Sequence, residues 1–157
     1  MTTDIAQILR AARSWGLRIA TAESCTGGMV SAALTDLAGS SDVFACGFVT
    51  YSNAAKVQML GVSPKSLTDH GAVSEVVARE MAEGALAHSD AGLAVAITGI
   101  AGPGGSDFKP EGRVCFGLAR HGKATQVETV DFGPLGRDAV RLAARDHALS
   151  LLMTALS

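Results

Sequence analysis

Hydrophobic and polar positions switch repeatedly between helical and strand spacing along the chain, and the switches predict its elements. Ile5, Ile8, Leu9, Ala12 and Trp15 recur on one helix face, and Gly16 supplies the stop. A short strand follows at 17–21, then a turn at 22–28 in which a second helix begins, running to about residue 37 and closed by 38–41. A strand is expected over 43–51. Ser52 or Asn53 then caps a short helix carrying Ala54, Ala55, Lys56, Val57 and Met59. Pro64 suits the first turn of another short helix, and Ser74 caps a long helical pattern over 75–88. Residues 92–98 form a near-continuous apolar run, the pattern of a strand buried on both faces. An irregular glycine-rich loop at 99–105 follows it. Segments 113–120 and 123–132, separated by His121 and Gly122, read as an antiparallel hairpin, and a last helix covers 137–155. This alternation predicts a layered α/β/α domain with a mixed sheet, whose antiparallel part is the hairpin, and a C-terminal helix. Sites in such sheets form outside the carboxyl ends of strands, so the turns at 24–28 and 99–105 are the first places to look.

Composition narrows the classes. The chain has 157 residues, 48% of them apolar and 18% charged, which fits one globular domain over 1–157. Lys and Arg number 13 against 15 Asp and Glu, a net charge of −2, and aromatic residues are 4%. That balance supplies neither the basic surplus nor the stacking platforms of a nucleic-acid binder. Cys25, Cys46 and Cys115 are odd in number and lack metal-ligand spacing, and His70, His88, His121 and His147 are scattered. Neither a disulfide framework nor a metal site is expected. No apolar run approaches the roughly 20 residues of a membrane span. The first residues lack the layout of a signal peptide, so a reducing, cytoplasmic location is the default expectation. A mean hydropathy of +0.28 is compatible with a homo-oligomer.

The strongest candidate chemistry lies in Thr21-Ala22-Glu23-Ser24-Cys25-Thr26-Gly27-Gly28, between a strand and a helix. A helix start exposes unpaired N–H groups, and glycines allow close approach to the main chain, so such a turn can hold a phosphate or an oxyanion. Ser24 and Cys25 beside it are possible nucleophiles. The plainer reading makes Ser24 or Thr26 a helix cap and Cys25 a small core residue. Lys56, in a short Ala-rich segment, is a proton acceptor if desolvated and an ordinary surface lysine if not. Tyr51, the single tyrosine, stands at the preceding strand end. The loop Thr98-Gly99-Ile100-Ala101-Gly102-Pro103-Gly104-Gly105 fits neither a P-loop nor the dinucleotide fingerprint, and either lines a ligand or is mobile. Arg137, Arg141 and Arg145 share one helix face, which either meets a phosphate or faces solvent.

Four blocks in order make the chain similar to a known family. They are 21–28; Gly47-Phe48-Val49-Thr50-Tyr51-Ser52-Asn53 with Lys56; His70-Gly71-Ala72-Val73-Ser74; and Gly99-Ile100-Ala101-Gly102-Pro103. Together they resemble the CinA C-terminal domain family, over nearly the whole chain. The resemblance implies a metal-independent amidase that needs no cofactor. Its substrate would be a small nucleotide, nicotinamide mononucleotide, hydrolysed to nicotinic acid mononucleotide and ammonia in pyridine nucleotide salvage. Ser24 matches the nucleophile, Lys56 the base and Tyr51 a residue assisting proton handling. The Thr26 amide with Gly27 and Gly28 matches the oxyanion backbone. Cys25, Asn53, Thr98, Gly99, Ala101 and Gly102 fall in segments expected around the substrate, and Arg137 and Arg141 where its phosphate is expected. Sequence alone leaves open whether oxygen of Ser24 or sulfur of Cys25 attacks. A non-catalytic nucleotide-binding domain is the alternative.

Overall fold

A computed structural model describes residues 3–106 and 108–157. In chain order the elements are α1 (Ile5–Trp15), β1 (Ile19–Glu23), α2 (Met29–Leu34), a 3-10 turn (Ser40–Asp42), β2 (Phe44–Val49), α3 (Asn53–Leu60), α4 (Pro64–His70) and α5 (Glu75–Ala87). They continue with β3 (Leu93–Gly99), β4 (Arg113–Arg120), β5 (Gln126–Asp131) and α6 (Arg137–Leu156). The sheet has five strands in the order β2-β1-β3-β4-β5. β1 pairs in parallel with both β2 and β3, while the β3–β4 and β4–β5 pairs are antiparallel. The mixed sheet is therefore the expected one, with the hairpin as its antiparallel edge.

Strand alternation decides what each face carries. Ile19, Leu93, Val95, Ile97 and Phe116 pack with Ile8 and Leu9 of α1, Val30 of α2, and Val140 and Leu152 of α6. Each such side chain, fully buried, stabilises the fold by about 1.5–3 kcal/mol. The intervening positions Ala20, Ala22, Ala94 and Ala96 form an alanine floor under Val77, Met81 and Ala85 of α5. Small residues are needed there because α5 comes close. A Cβ on Gly117 of β4 would lie 2.4 Å from the Ala78 carbonyl oxygen of α5, and α5 is itself pressed against the end of α3, where a Cβ on Gly84 would lie 2.0 Å from the Leu60 carbonyl oxygen.

Several boundaries differ from the sequence pattern: β2 ends at Val49 rather than 51, β5 starts at Gln126 rather than 123, and β1 and α2 shift for visible reasons. β1 begins at Ile19 and extends through Glu23, because Gly16 and Leu17 turn back to bond the carbonyls of Arg13 and Ala12 and close α1. α2 ends at Leu34, where the Thr35 hydroxyl donates to the Ser31 and Ala32 carbonyls, both at 3.0 Å. The chain leaves β1 for α2 on one face and leaves β2 for α3 on the other. Adjacent parallel strands whose exits diverge open a crevice beyond their carboxyl ends. Among the described residues no helix is long and apolar enough to cross a membrane.

Candidate active site

Ser24 stands immediately after β1 and is 8% exposed. Its amide donates to the Ile97 carbonyl at 2.9 Å, and its own carbonyl accepts from Gly27 at 3.1 Å, so the turn is bonded at both ends. Glu23, fully buried at the end of β1, accepts from the Thr26 hydroxyl at 2.7 Å and the Gly28 amide at 3.2 Å. The Gly27 and Gly28 amides, which the family resemblance assigns to an oxyanion, thus already have acceptors inside the protein. Among the described residues no acceptor meets the amides of Cys25 or Thr26. Beneath the turn, Arg141 donates to the Cys25 carbonyl at 3.0 Å and the Thr26 carbonyl at 3.4 Å. Burial pushes the Cys25 thiol up to about 11.

Lys56 reaches Ser24 from the next strand exit. The Ser52 hydroxyl accepts from the Ala55 amide and starts α3, whose inward face carries Lys56 and Leu60. Lys56 Nζ lies 2.8 Å from Ser24 Oγ, 2.7 Å from the Thr50 carbonyl oxygen and 3.3 Å from that of Tyr51. The side chain is 1% exposed, and burial pulls its pKa down from 10.5 to about 8. A neutral amine has two N–H bonds and one lone pair. With the carbonyls of Thr50 and Tyr51 accepting the N–H groups, the lone pair is left for the Ser24 hydroxyl.

These groups open into a cleft of about 350 Å³ at the carboxyl ends of β1, β2 and β3. Ser24, Cys25 and Lys56 form its floor, with Tyr51 and Asn53 on the β2 side and Thr98, Gly99 and Ala101 on the β3 side. The Thr98 hydroxyl donates to the Ala72 carbonyl at 2.9 Å, holding the α4–α5 connection against β3. Arg137, the first residue of α6, leans over the rim and donates to the Gly102 carbonyl at 2.7 Å and to the Tyr51 hydroxyl at 3.0 Å. Glu111 joins that rim together, accepting from the Gly104 amide at 2.6 Å and the Gly136 amide at 3.0 Å. Lys109 lies across the cleft mouth, donating to the His70 carbonyl at 2.7 Å and to that of Val73. Lys56, Lys109 and Arg137 line the cleft, and among the described residues no Asp or Glu does.

The residues singled out by sequence therefore fall into two groups. Ser24, Cys25, Tyr51, Lys56 and Arg137 converge on the cleft, with Asn53, Thr98, Gly99 and Ala101 in its walls. Thr26, Gly27, Gly28, Gly102 and Arg141 stand behind it and shape the two loops. Sequence reasoning missed Lys109 and Glu23. Lys109 carries no local signal. Glu23 carried one: with Thr21 it puts polar residues at alternate positions of a buried strand, facing Ser31 of the next helix, and the Thr21 and Ser31 hydroxyl oxygens lie 2.7 Å apart. Among the described residues no group of three or more His, Cys, Asp and Glu side chains gathers to hold a metal ion.

Fold and cleft define a three-layer α/β protein in which a serine and a buried lysine meet where parallel strands end. The model of the CinA C-terminal domain matches residues 2–156, and the chain belongs to that family. It is 50% identical over 147 residues to the nicotinamide-nucleotide amidohydrolase PncC of Escherichia coli strain K12, covering 93% of this chain and 88% of that one. It is 54% identical over 142 residues to a CinA-like protein of Mycobacterium sp. strain MCS, covering 90% of this chain and 34% of that protein. The chain thus spans about a third of the length of such curated relatives (34%). The crystal structure of a competence/damage-inducible protein of Agrobacterium tumefaciens superposes with a TM-score of 0.87 at 46% identity, covering 99% of each chain.

Proposed function

We propose that this protein hydrolyses the carboxamide of nicotinamide mononucleotide, with Ser24 as nucleophile and Lys56 as general base. The observation that carries the reading is the 2.8 Å contact between Lys56 Nζ and Ser24 Oγ in a site where burial holds the lysine near 8. An amide carbonyl is a poor electrophile, so attack needs an activated nucleophile and donors for the developing negative oxygen. Neutral Lys56 takes the Ser24 proton as Oγ bonds the carboxamide carbon. The oxyanion forms against the Cys25 and Thr26 amides. Lys56 then returns the proton to the departing nitrogen, the C–N bond breaks and ammonia leaves. Water, deprotonated by the same amine, hydrolyses the acyl-serine to the free carboxylate and restores Ser24.

Oxygen rather than sulfur is the nucleophile in this scheme for two reasons. The lysine touches Ser24 Oγ, and the Cys25 thiol, pushed up to about 11, stays protonated near neutrality. The phosphate of the substrate fits the charge of the cleft, where Arg137 and Lys109 stand at the rim of a protein whose net charge is −2. The relative PncC is named for this chemistry. Ammonia release from nicotinamide mononucleotide by purified protein, and its loss in Ser24→Ala with the fold retained, are the expected results. Nucleotide-induced thermal stabilisation without ammonia release would instead make the protein a binding domain.

A further inference from the structure

Glu23 lies outside the cleft and has no part in the scheme above, yet it is a fully buried carboxylate adjoining the nucleophile. Strand alternation directs it, with Thr21, toward α2. Oε1 accepts from Thr26 Oγ1 at 2.7 Å, Gly28 N at 3.2 Å and Val30 N at 3.0 Å, and Oε2 from Ser31 N at 2.9 Å and Ser31 Oγ at 2.7 Å. Among the described residues no Lys or Arg bonds to it. Burying a charge without a counter-charge is costly, and here it is offset by these donors alone. Gly28, the cap residue of α2, makes no side-chain cap bond, so the carboxylate of the preceding strand caps the helix instead.

We propose that Glu23 is a positioning residue that fixes the nucleophile turn, an inference that rests on Ser24 being the nucleophile. It acts at both ends of the turn. It immediately precedes Ser24 and holds Thr26 and Gly28 on the far side. That leaves residues 24–26 little freedom to tilt Ser24 Oγ away from Lys56 or to swing the Cys25 and Thr26 amides off the reacting oxygen. Because the Glu23 side chain does not line the cleft, its loss is expected in turnover rather than in substrate affinity.

Every one of these contacts is donated to Glu23, and that makes Glu23→Gln informative. The amide keeps the size but aims N–H groups at N–H groups on one side. The expected result is a fall of roughly 10- to 100-fold in kcat for ammonia release, with KM within about twofold of wild type. Labelling of Ser24 by a serine-directed fluorophosphonate should slow in parallel, while circular dichroism shows a folded protein at the assay temperature. The labelling rate does not depend on the identity of the amide. It therefore tests Glu23 even if nicotinamide mononucleotide proves to be the wrong substrate. A folded Glu23→Gln with wild-type labelling and kcat, or a loss confined to KM, overturns the proposal. Should that variant not fold, Thr26→Val and Gly47→Ala carry the same test. The first removes one donor. The second places a Cβ 2.4 Å from Ser31 Oγ and 2.8 Å from Thr21 Oγ1, pushing the network from the edge strand β2, outside the cleft. Slowed labelling with unchanged KM in both supports the role, and wild-type values in both refute it.

Discussion

Two glycine-rich segments leave neighbouring parallel strands and form opposite sides of the same cleft, and each is organised by one carboxylate. The turn after β1 is folded around Glu23, which is wholly buried, and Ser24, Cys25 and Thr26 are buried with it. The loop after β3 is folded around half-buried Glu111, which reaches two amides, while residues 103–106 are exposed. The contrast fits the work that the proposed function gives each. A nucleophile must be held to a few tenths of an ångström against its base, and closely bonded, water-free surroundings achieve that. A wall that receives a nucleotide needs reach and charge, and can be looser. The tight side should therefore govern kcat and the loose side KM.

The largest expected effect falls on the tight side. Lys56→Met should lower kcat by ~10²- to 10⁴-fold, the usual contribution of a general base. The same change should stabilise the protein near neutrality. The lysine's pKa is about 8 when folded and 10.5 as its ordinary value, so between those pH values the unfolded chain binds a proton that the folded chain does not. Stability of the wild type rises with pH across that window, and below it the cost of burying the lysine is full, about 3 kcal/mol at most. Loss of the donor to the Thr50 carbonyl offsets about 1 kcal/mol of this gain. Thermal unfolding at pH 7 should show a higher Tm for Lys56→Met, with the difference shrinking toward pH 10.5. A lower Tm at pH 7 would mean that burying the charged lysine carries no such cost.

Next in size is the pH profile. Only the neutral lysine accepts the serine proton, so kcat/KM of the wild type should climb about tenfold per pH unit below 8 and level off above it. Initial rates of ammonia release from pH 6 to 9.5 measure this, and a profile flat through pH 8 would assign the proton transfer elsewhere.

How far the sequence revealed this contrast depends on how local the signal was. The apolar run of β3, the α1 face and the hairpin are short-range patterns, and the structure follows them. Boundaries moved where one residue had two uses, as with Leu17, which closes α1 instead of opening β1. Ser24 and Lys56 were legible one at a time, because each follows a strand end with turn residues around it. Their meeting was legible only through the family resemblance, since from the residues themselves it depends on the β1–β2 register that sets Glu23 opposite Val49. The arginine stripe shows the same limit. At helical spacing Arg137 and Arg141 look alike, yet Arg137 overhangs the cleft while Arg141 bonds the Cys25 and Thr26 carbonyls.

On the loose side, Arg137→Ala should raise KM for nicotinamide mononucleotide by roughly 10-fold, the scale of one charge-assisted contact to phosphate, and leave kcat within about threefold. The dephosphorylated nucleoside serves as the control. If Arg137 meets the phosphate, the variant should handle the nucleoside as the wild type does. An equal loss on both substrates would place the arginine's role in holding Tyr51 and Gly102 instead.

Glu111→Gln gives the smallest effect and the sharpest contrast with Glu23→Gln. The substitution is the same, but the setting differs. Glu111 offers one oxygen to Gly104 and the other to Gly136, so a glutamine keeps one bond and opposes the other. Loss of one such bond at a half-buried site is worth about 1 kcal/mol, and water can reach the freed amide. The rim should slacken around Gly102, which packs against Glu111, and Arg137 should lose part of its support. Steady-state kinetics should then show KM raised by about 3- to 5-fold, kcat unchanged and fluorophosphonate labelling of Ser24 at the wild-type rate. If Glu111→Gln instead slowed labelling as much as Glu23→Gln, the two loops would form a single mechanical unit, and the division between a rigid catalytic side and an adaptable binding side would fail.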